Sequence, residues 1–252
     1  METLALDSLS LPIFFFLFAF FYLCAYFSLF HDWGPKHRAA ASSCFIYFVH
    51  GSPAALMARM ALKNTQSPTF ASPNSVFDNI VLDYSISYFL MDLLHYLVFF
   101  PNDILFILHH LATLYVFFTC RYMVHHGAYA LLVLLVLAEV TRFCQNIWLL
   151  AGLLGGDVRL AANLYKLLSP LFYVSYSIGR GIVAPFFVHK MGVFYLSGMA
   201  KNLIPGWAWA SWMVVIVTAI LASIVWIFDH WYKRSYEAVK KVVYSYGCHH
   251  NR

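Results

Sequence analysis

The sequence predicts an all-α membrane protein with seven transmembrane helices. Three observations predict it. Apolar residues make up 62% of the 252 positions, against roughly 45–50% in ordinary globular chains. The chain holds 16 basic and 11 acidic side chains, where a soluble chain of this length would carry about 63 charges. The mean hydropathy of +0.70 expresses these two together. So few charges cannot coat a particle in water, which argues against a soluble enzyme, a disordered tail protein and a nucleic-acid binder. The third observation is length: a bilayer core of about 30 Å needs roughly 20 apolar residues per helix, and seven stretches reach it.

The first stretch, Leu11 to Phe30, is rich in Phe and Leu. Glu2 and Asp7 precede it with no basic residue, so it reads as a retained helix and not a cleaved signal. The second, Ala39 to Leu62, is weaker, with Gly51-Ser52-Pro53 at its middle. The third and fourth, Ile80 to Phe100 and Ile104 to Val124, flank the turn Pro101-Asn102-Asp103. The fifth, Ala128 to Gly152, contains the most hydrophobic run, Ala130 to Ala138. The sixth, Ala161 to Val188, is long enough to tilt, with Pro170 and Pro185 as expected kinks. The seventh covers Ala208 to Trp231. The organisation expected is residues 1–75 for two helices and a lumenal loop, 76–232 for the core, and 233–252 for a basic cytosolic tail.

Basic residues set orientation. A lumenal N-terminus places Lys36, Arg38, Arg159, Lys166, Lys233, Arg234, Lys240, Lys241 and Arg252 in the cytosol. It leaves Lys63, Arg121, Lys190 and Lys201 on the lumenal side. Five scattered Cys form no Cys-x-x-Cys pair and no disulfide framework. The terminal Cys248-His249-His250 is weak as a metal site, and no metal is expected.

Ionisable groups at membrane depth are costly and therefore informative. Asp92 and His95, at i and i+3, share a helix face just before the turn. His109 and His110 follow it. Both His95 and His109 lie six residues from the turn, or roughly 9 Å inside at 1.5 Å per residue. One carboxylate and up to three imidazoles should converge there, with Thr113 adding a hydroxyl on the His109 face. Such a cluster suits a general base or nucleophile oriented by an acid. It equally suits a polar contact locking two helices. Adjacent His109 and His110 point about 100° apart, which is awkward for one metal. A second cluster is Glu139, Arg142 and Asn146, near the bilayer centre. Arg180, with Tyr173, Tyr176 and Ser177 close in sequence, is the third feature. A Glu139–Arg180 pair would tie the fifth and sixth helices. The alternative is that these groups hold a lipid head group.

These residues resemble the TLC domain family, the membrane domain shared by ceramide synthases and several lipid-homeostasis proteins. The resemblance rests on Asp92-x-x-His95, on His109-His110 with Thr113, on Ala138-Glu139-Val140-Thr141-Arg142-Phe143-Cys144-Gln145-Asn146-Ile147-Trp148, and on Arg180. It covers Val76 to Trp231. It implies that the last six helices form a TLC-type barrel around a lipid-accessible cavity. It also implies that His109 or His110 handles an acyl group, with Asp92 and His95 in support. Thr113, Glu139, Arg142, Asn146, Tyr173, Ser177 and Arg180 would then contact lipid. One departure is plain: where ceramide synthases carry a His-Asp step after the pair, this chain has Glu139 followed by Arg142.

Three functions follow as expectations. The first is acyl transfer from acyl-CoA, as co-substrate, to a lipid amine or hydroxyl, with no bound cofactor. The second is a non-catalytic lipid-binding or lipid-sensing regulator using the same cavity. The third, ranked last, is a seven-helix receptor or channel. Membrane lipids and acyl-CoA are the expected partners, and nucleic acid is not. A homodimer is the assembly considered. The endoplasmic reticulum or another endomembrane is the expected location.

Overall fold

A computed structural model describes residues 2–64, 68–154 and 158–249. Among the described residues every regular element is a helix, apart from an isolated bridge between Pro73 and His126. Helix α1 spans Glu2–Cys24 and runs into a π segment, Ala25–Leu29. Helix α2, Pro35–Asn64, starts on a proline, which costs nothing at the first helical position. Helix α3, Val76–Phe99, is opened by a capping box: Ser75 accepts from the Asp78 amide and Asp78 accepts from the Ser75 amide. It stops before Pro101, which disfavours helical backbone in the residue preceding it. Helix α4, Ile104–Phe118, continues as a π segment, Thr119–Val124, and ends at His125 in the left-handed conformation (φ 59°).

Helix α5 spans Ala128–Leu154. Helices α6, Arg159–Ile178, and α7, Ala184–Leu196, are joined without a break by a π segment, Gly179–Val183. Pro185, expected to kink this rod, lacks the N–H that Gly181 would need, and the widened ladder lies directly upstream of it. Helix α8 runs from Gly206 to His249. The side chains of the basic tail from residue 234 onward, with Cys248-His249-His250, lie outside what is described.

Five of these rods are long and apolar enough to cross a membrane: Leu9–Leu29, Ile104–Val124, Ala128–Gly152, Arg159–Leu196 and Gly206–Lys233. The sequence led us to expect seven. Helices α2 and α3 fall short in apolarity, not in length. The reason lies in where they sit. α3 packs against α1, α2, α4 and α5, and it buries Asp78, Asp83, Ser85, Ser87 and Asp92. Its polar groups face protein, while Leu94, Leu97 and Val98 form its exposed apolar side.

Packing neighbours run α2 to α3, α3 to α4, α4 to α8, α8 to α6 and α7, α6 to α5, and α5 back to α2. α1 rests on α3 and α2. One lock holds α1, α3 and the π segment after α4 together. Arg121 bonds to both carboxylate oxygens of Asp83, at 3.1 and 3.2 Å. The Tyr122 hydroxyl donates to Asp83 at 2.7 Å and that of Ser10 at 2.5 Å. Arg121, counted from sequence among the lumenal loop bases, is thus a buried partner at 4% exposure.

The α2–α5 seam is close-packed at Gly51. A Cβ there would stand 2.7 Å from Glu139 Oε2 and 2.9 Å from the Tyr47 ring and hydroxyl. Gly51→Ala is expected to destabilise the protein by about 1–3 kcal/mol, the usual cost of overpacking. Gly34→Ala, where a Cβ meets nothing within 4 Å, should leave the melting temperature in detergent unchanged.

Candidate functional site

Asp92, about two turns before the end of α3, gathers the first cluster. Its Oδ1 accepts from Ser43 of α2 at 2.7 Å. Its Oδ2 lies 2.8 Å from His110 Nε2 of α4 and 3.3 Å from the Tyr88 hydroxyl. The far side of the His110 ring is also engaged, with Nδ1 2.7 Å from the Phe106 carbonyl. A carbonyl only accepts, so Nδ1 carries a hydrogen. The Nε2–carboxylate contact then needs a second hydrogen between them. The pair therefore holds one more proton than a neutral imidazole beside a carboxylate, and it is electrically balanced as a unit.

His95 shares the Asp92 face as expected, but its Nδ1 bonds to the Tyr22 hydroxyl of α1 at 2.8 Å. Asp92, His95 and His110 all line one chamber of about 380 Å³. The chamber reaches the α3–α4 turn at Phe100 and Asp103, and is closed on other sides by Tyr47, Trp148 and Trp226.

His109 does not join that cluster. The roughly 100° step between successive helical residues turns it away. It lines a second chamber of about 170 Å³, with Arg142, Gln145, Tyr176 and Arg180. It also lines a third of about 130 Å³, with Thr113, Glu139, Arg142 and Arg180. Among the described residues no hydrogen-bond partner faces the His109 ring. Thr113, read as an added hydroxyl, gives its hydrogen to the His109 backbone carbonyl at 2.8 Å.

The expected Glu139–Arg180 tie is not formed. The Tyr47 hydroxyl of α2 donates to Glu139 Oε2 at 2.7 Å instead. Arg180 reaches Thr141 Oγ1 at 3.5 Å and lies over the Tyr176 ring at 5.8 Å. Among the described residues no ion pair or hydrogen bond engages the Arg142 guanidinium, which lines all three chambers. Asn146 lines the first chamber and donates to the Arg142 carbonyl at 3.2 Å.

Tyr173 and Ser177 line none of these chambers. Ser177 accepts from Trp231 Nε1 at 3.0 Å, and Tyr173 packs on Trp148, His230 and Trp231, so both sit at the α6–α8 seam. Tyr176, one helical turn from Arg180, is the tyrosine that faces inward. Sequence reasoning also passed over Ser43, Tyr47, Gln145 and Trp226. The first two come from α2, and nothing local links them to residues 49 and 92 positions away.

Neighbouring chambers share wall residues. Phe106, Arg142, Gln145 and Trp226 border both the first and second. His109, Arg142, Arg180 and Ala219 border both the second and third. The series runs from a polar first chamber to a third walled mainly by Leu, Val, Phe and Ile.

A bundle of long apolar helices enclosing such a series is a membrane protein built around an internal amphipathic cavity. The TLC domain family model matches residues 13–232, so the chain belongs to the TLC domain family. It is 53% identical over 223 residues to a TLC domain-containing protein of Arabidopsis thaliana, covering 88% of each chain. No solved structure matches.

Removing the Asp92 carboxylate takes from His110, Ser43 and Tyr88 their shared acceptor beside the first chamber. Asp92→Ala is expected to cost about 3–5 kcal/mol of unfolding free energy in detergent. Asn146→Ala removes one bond to the Arg142 carbonyl in its own helix and a long thiol contact from Cys44, and should cost about 1 kcal/mol or less.

Proposed function

We propose that this protein handles lipids inside the membrane, in lipid homeostasis, and that its reaction is acyl transfer from acyl-CoA to a lipid amine or hydroxyl. The bundle spans the bilayer seven times in this reading. α2 and α3 hold 30 and 24 residues, and at about 1.5 Å per residue both suffice to cross. The closed order of neighbours from α2 to α8 supports a six-rod barrel, with α1 outside it. The basic residues favour a lumenal N-terminus, a cytosolic α3–α4 turn and residence in the endoplasmic reticulum or a related membrane.

The observation that carries the reading is the polar-to-apolar series of chambers passing His109 and His110. Acyl-CoA arrives from the cytosolic end, and the acyl tail takes the apolar third chamber. His109 acts as the base, because both His110 nitrogens are already bonded. His109 takes the hydrogen from the attacking amine or hydroxyl. The new bond forms at the acyl carbon, the thioester C–S bond breaks, and the thiol leaves with that hydrogen. The Asp92–His110 pair positions α4 for this role.

A second reading is a lipid-binding regulator without turnover. It is favoured by one observation: no carboxylate orients His109, since Glu139 is bonded to Tyr47.

The test is purified protein with labelled acyl-CoA and mixed membrane lipids. Acylated lipid should form, and His109→Ala should lower the rate by about 10²-fold or more, the range of a lost general base. Bound lipid with no product in the wild type would favour the regulator.

A further inference from the structure

In the two inner chambers positive side chains outnumber negative ones. The Asp92–His110 pair closes on itself. Beyond it, the second and third chambers are lined by two guanidinium groups, Arg142 and Arg180, and one carboxylate, Glu139, while Asp103 stands apart at the turn end of the first. The carboxylate is spoken for by Tyr47 and pairs with neither arginine. A guanidinium without an anion is costly at membrane depth, where the usual solutions are a partner or an aqueous cavity. Structural arginines in this same protein have found theirs: Arg121 grips Asp83 through two nitrogens. Arg142 and Arg180 instead point their free donors into shared space.

That space has the form of a head-group site. Gln145, Tyr176 and Ser223 add polar side chains to the walls of the second chamber. Arg180 is steadied by Thr141 and by the Tyr176 ring, and the π segment that starts at Gly179 carries it. The third chamber continues directly from both arginines and is walled by Leu131, Leu134, Leu135, Val116 and Phe117. A planar guanidinium fork fits two oxygens of one carboxylate or phosphate.

We propose that Arg142 and Arg180 bind the anionic head group, carboxylate or phosphate, of a single-tailed lipid whose tail enters the third chamber when no acyl-CoA does. The proposal rests on the reading that lipid enters this cavity, and adds that the resident lipid is an anion held at mid-membrane depth. Its charge balances the two inner chambers. A neutral amphiphile of equal length leaves one guanidinium uncompensated and binds more weakly.

The experiment measures binding of three 16-carbon probes, hexadecanoate, hexadecyl phosphate and hexadecanol, at pH 8. The full chain is held in nanodiscs of phosphatidylcholine and binding is read by scintillation proximity. The wild type should prefer at least one anion over the alcohol by tenfold or more. That preference should shrink to under twofold in Arg142→Gln and in Arg180→Gln, and persist in part in Arg142→Lys. The tighter of the two anions identifies the head group. Equal binding of all three probes by the wild type overturns the anion site and leaves the lipid cavity standing. An anion preference that survives both Gln substitutions also overturns it. Binding of no probe overturns both the site and the cavity reading. Melting temperatures of the variants, compared with the wild type, separate loss of the site from loss of the fold.

Discussion

The Asp92 carboxylate is the contact on which the interior depends. In one group it joins Ser43 from α2, Tyr88 from its own helix and His110 from α4. Three neighbouring rods are thereby held at one level beside the first chamber. Lipid cannot satisfy these donors, so the carboxylate and its partners must stay together wherever the helices go. The same rule explains the Asp83 lock between α1, α3 and the π segment after α4. It also explains why α3, with the most buried acids, is surrounded by protein on several sides.

Within this frame the two adjacent histidines acquire different duties. His110 is held at both nitrogens, while His109 looks into the inner chambers beside Arg142 and Arg180. One helical step separates a ring bonded at both nitrogens from one that faces the inner chambers. The chain belongs to the TLC domain family, and Glu139 followed by Arg142 is its own variation within that stretch. Glu139 bonds to Tyr47 and to neither arginine.

Much of the scaffold was legible from apolar runs. The expected spans Ile104–Val124 and Ala128–Gly152 coincide with the apolar helices observed. The sixth helix runs on to Leu196, past His189 and Lys190, because two polar residues do not end a helix and no proline lies between Pro185 and Leu196. The meeting of Asp92 with His110 was legible because a short turn joins their helices. The orientation of His109 and the Tyr47 contact were not. The first depends on helix rotation, which spacing constrains only in part. The second depends on a pairing of α2 with α5 across 92 positions of sequence. Tyr173 and Ser177 lie near Arg180 in the chain, yet they share a face with the α8 seam and not with the chamber.

The central claim is that the cavity beside these side chains holds a lipid. Native mass spectrometry of the detergent-purified protein tests it most directly, comparing the wild type with Ala219→Trp. Ala219 borders the second and third chambers, and an indole there fills the space a tail would take. The account predicts a lipid-sized mass adduct on the wild type and none on the variant at equal melting temperature. A bare wild type, or an adduct retained by a folded variant, would contradict it.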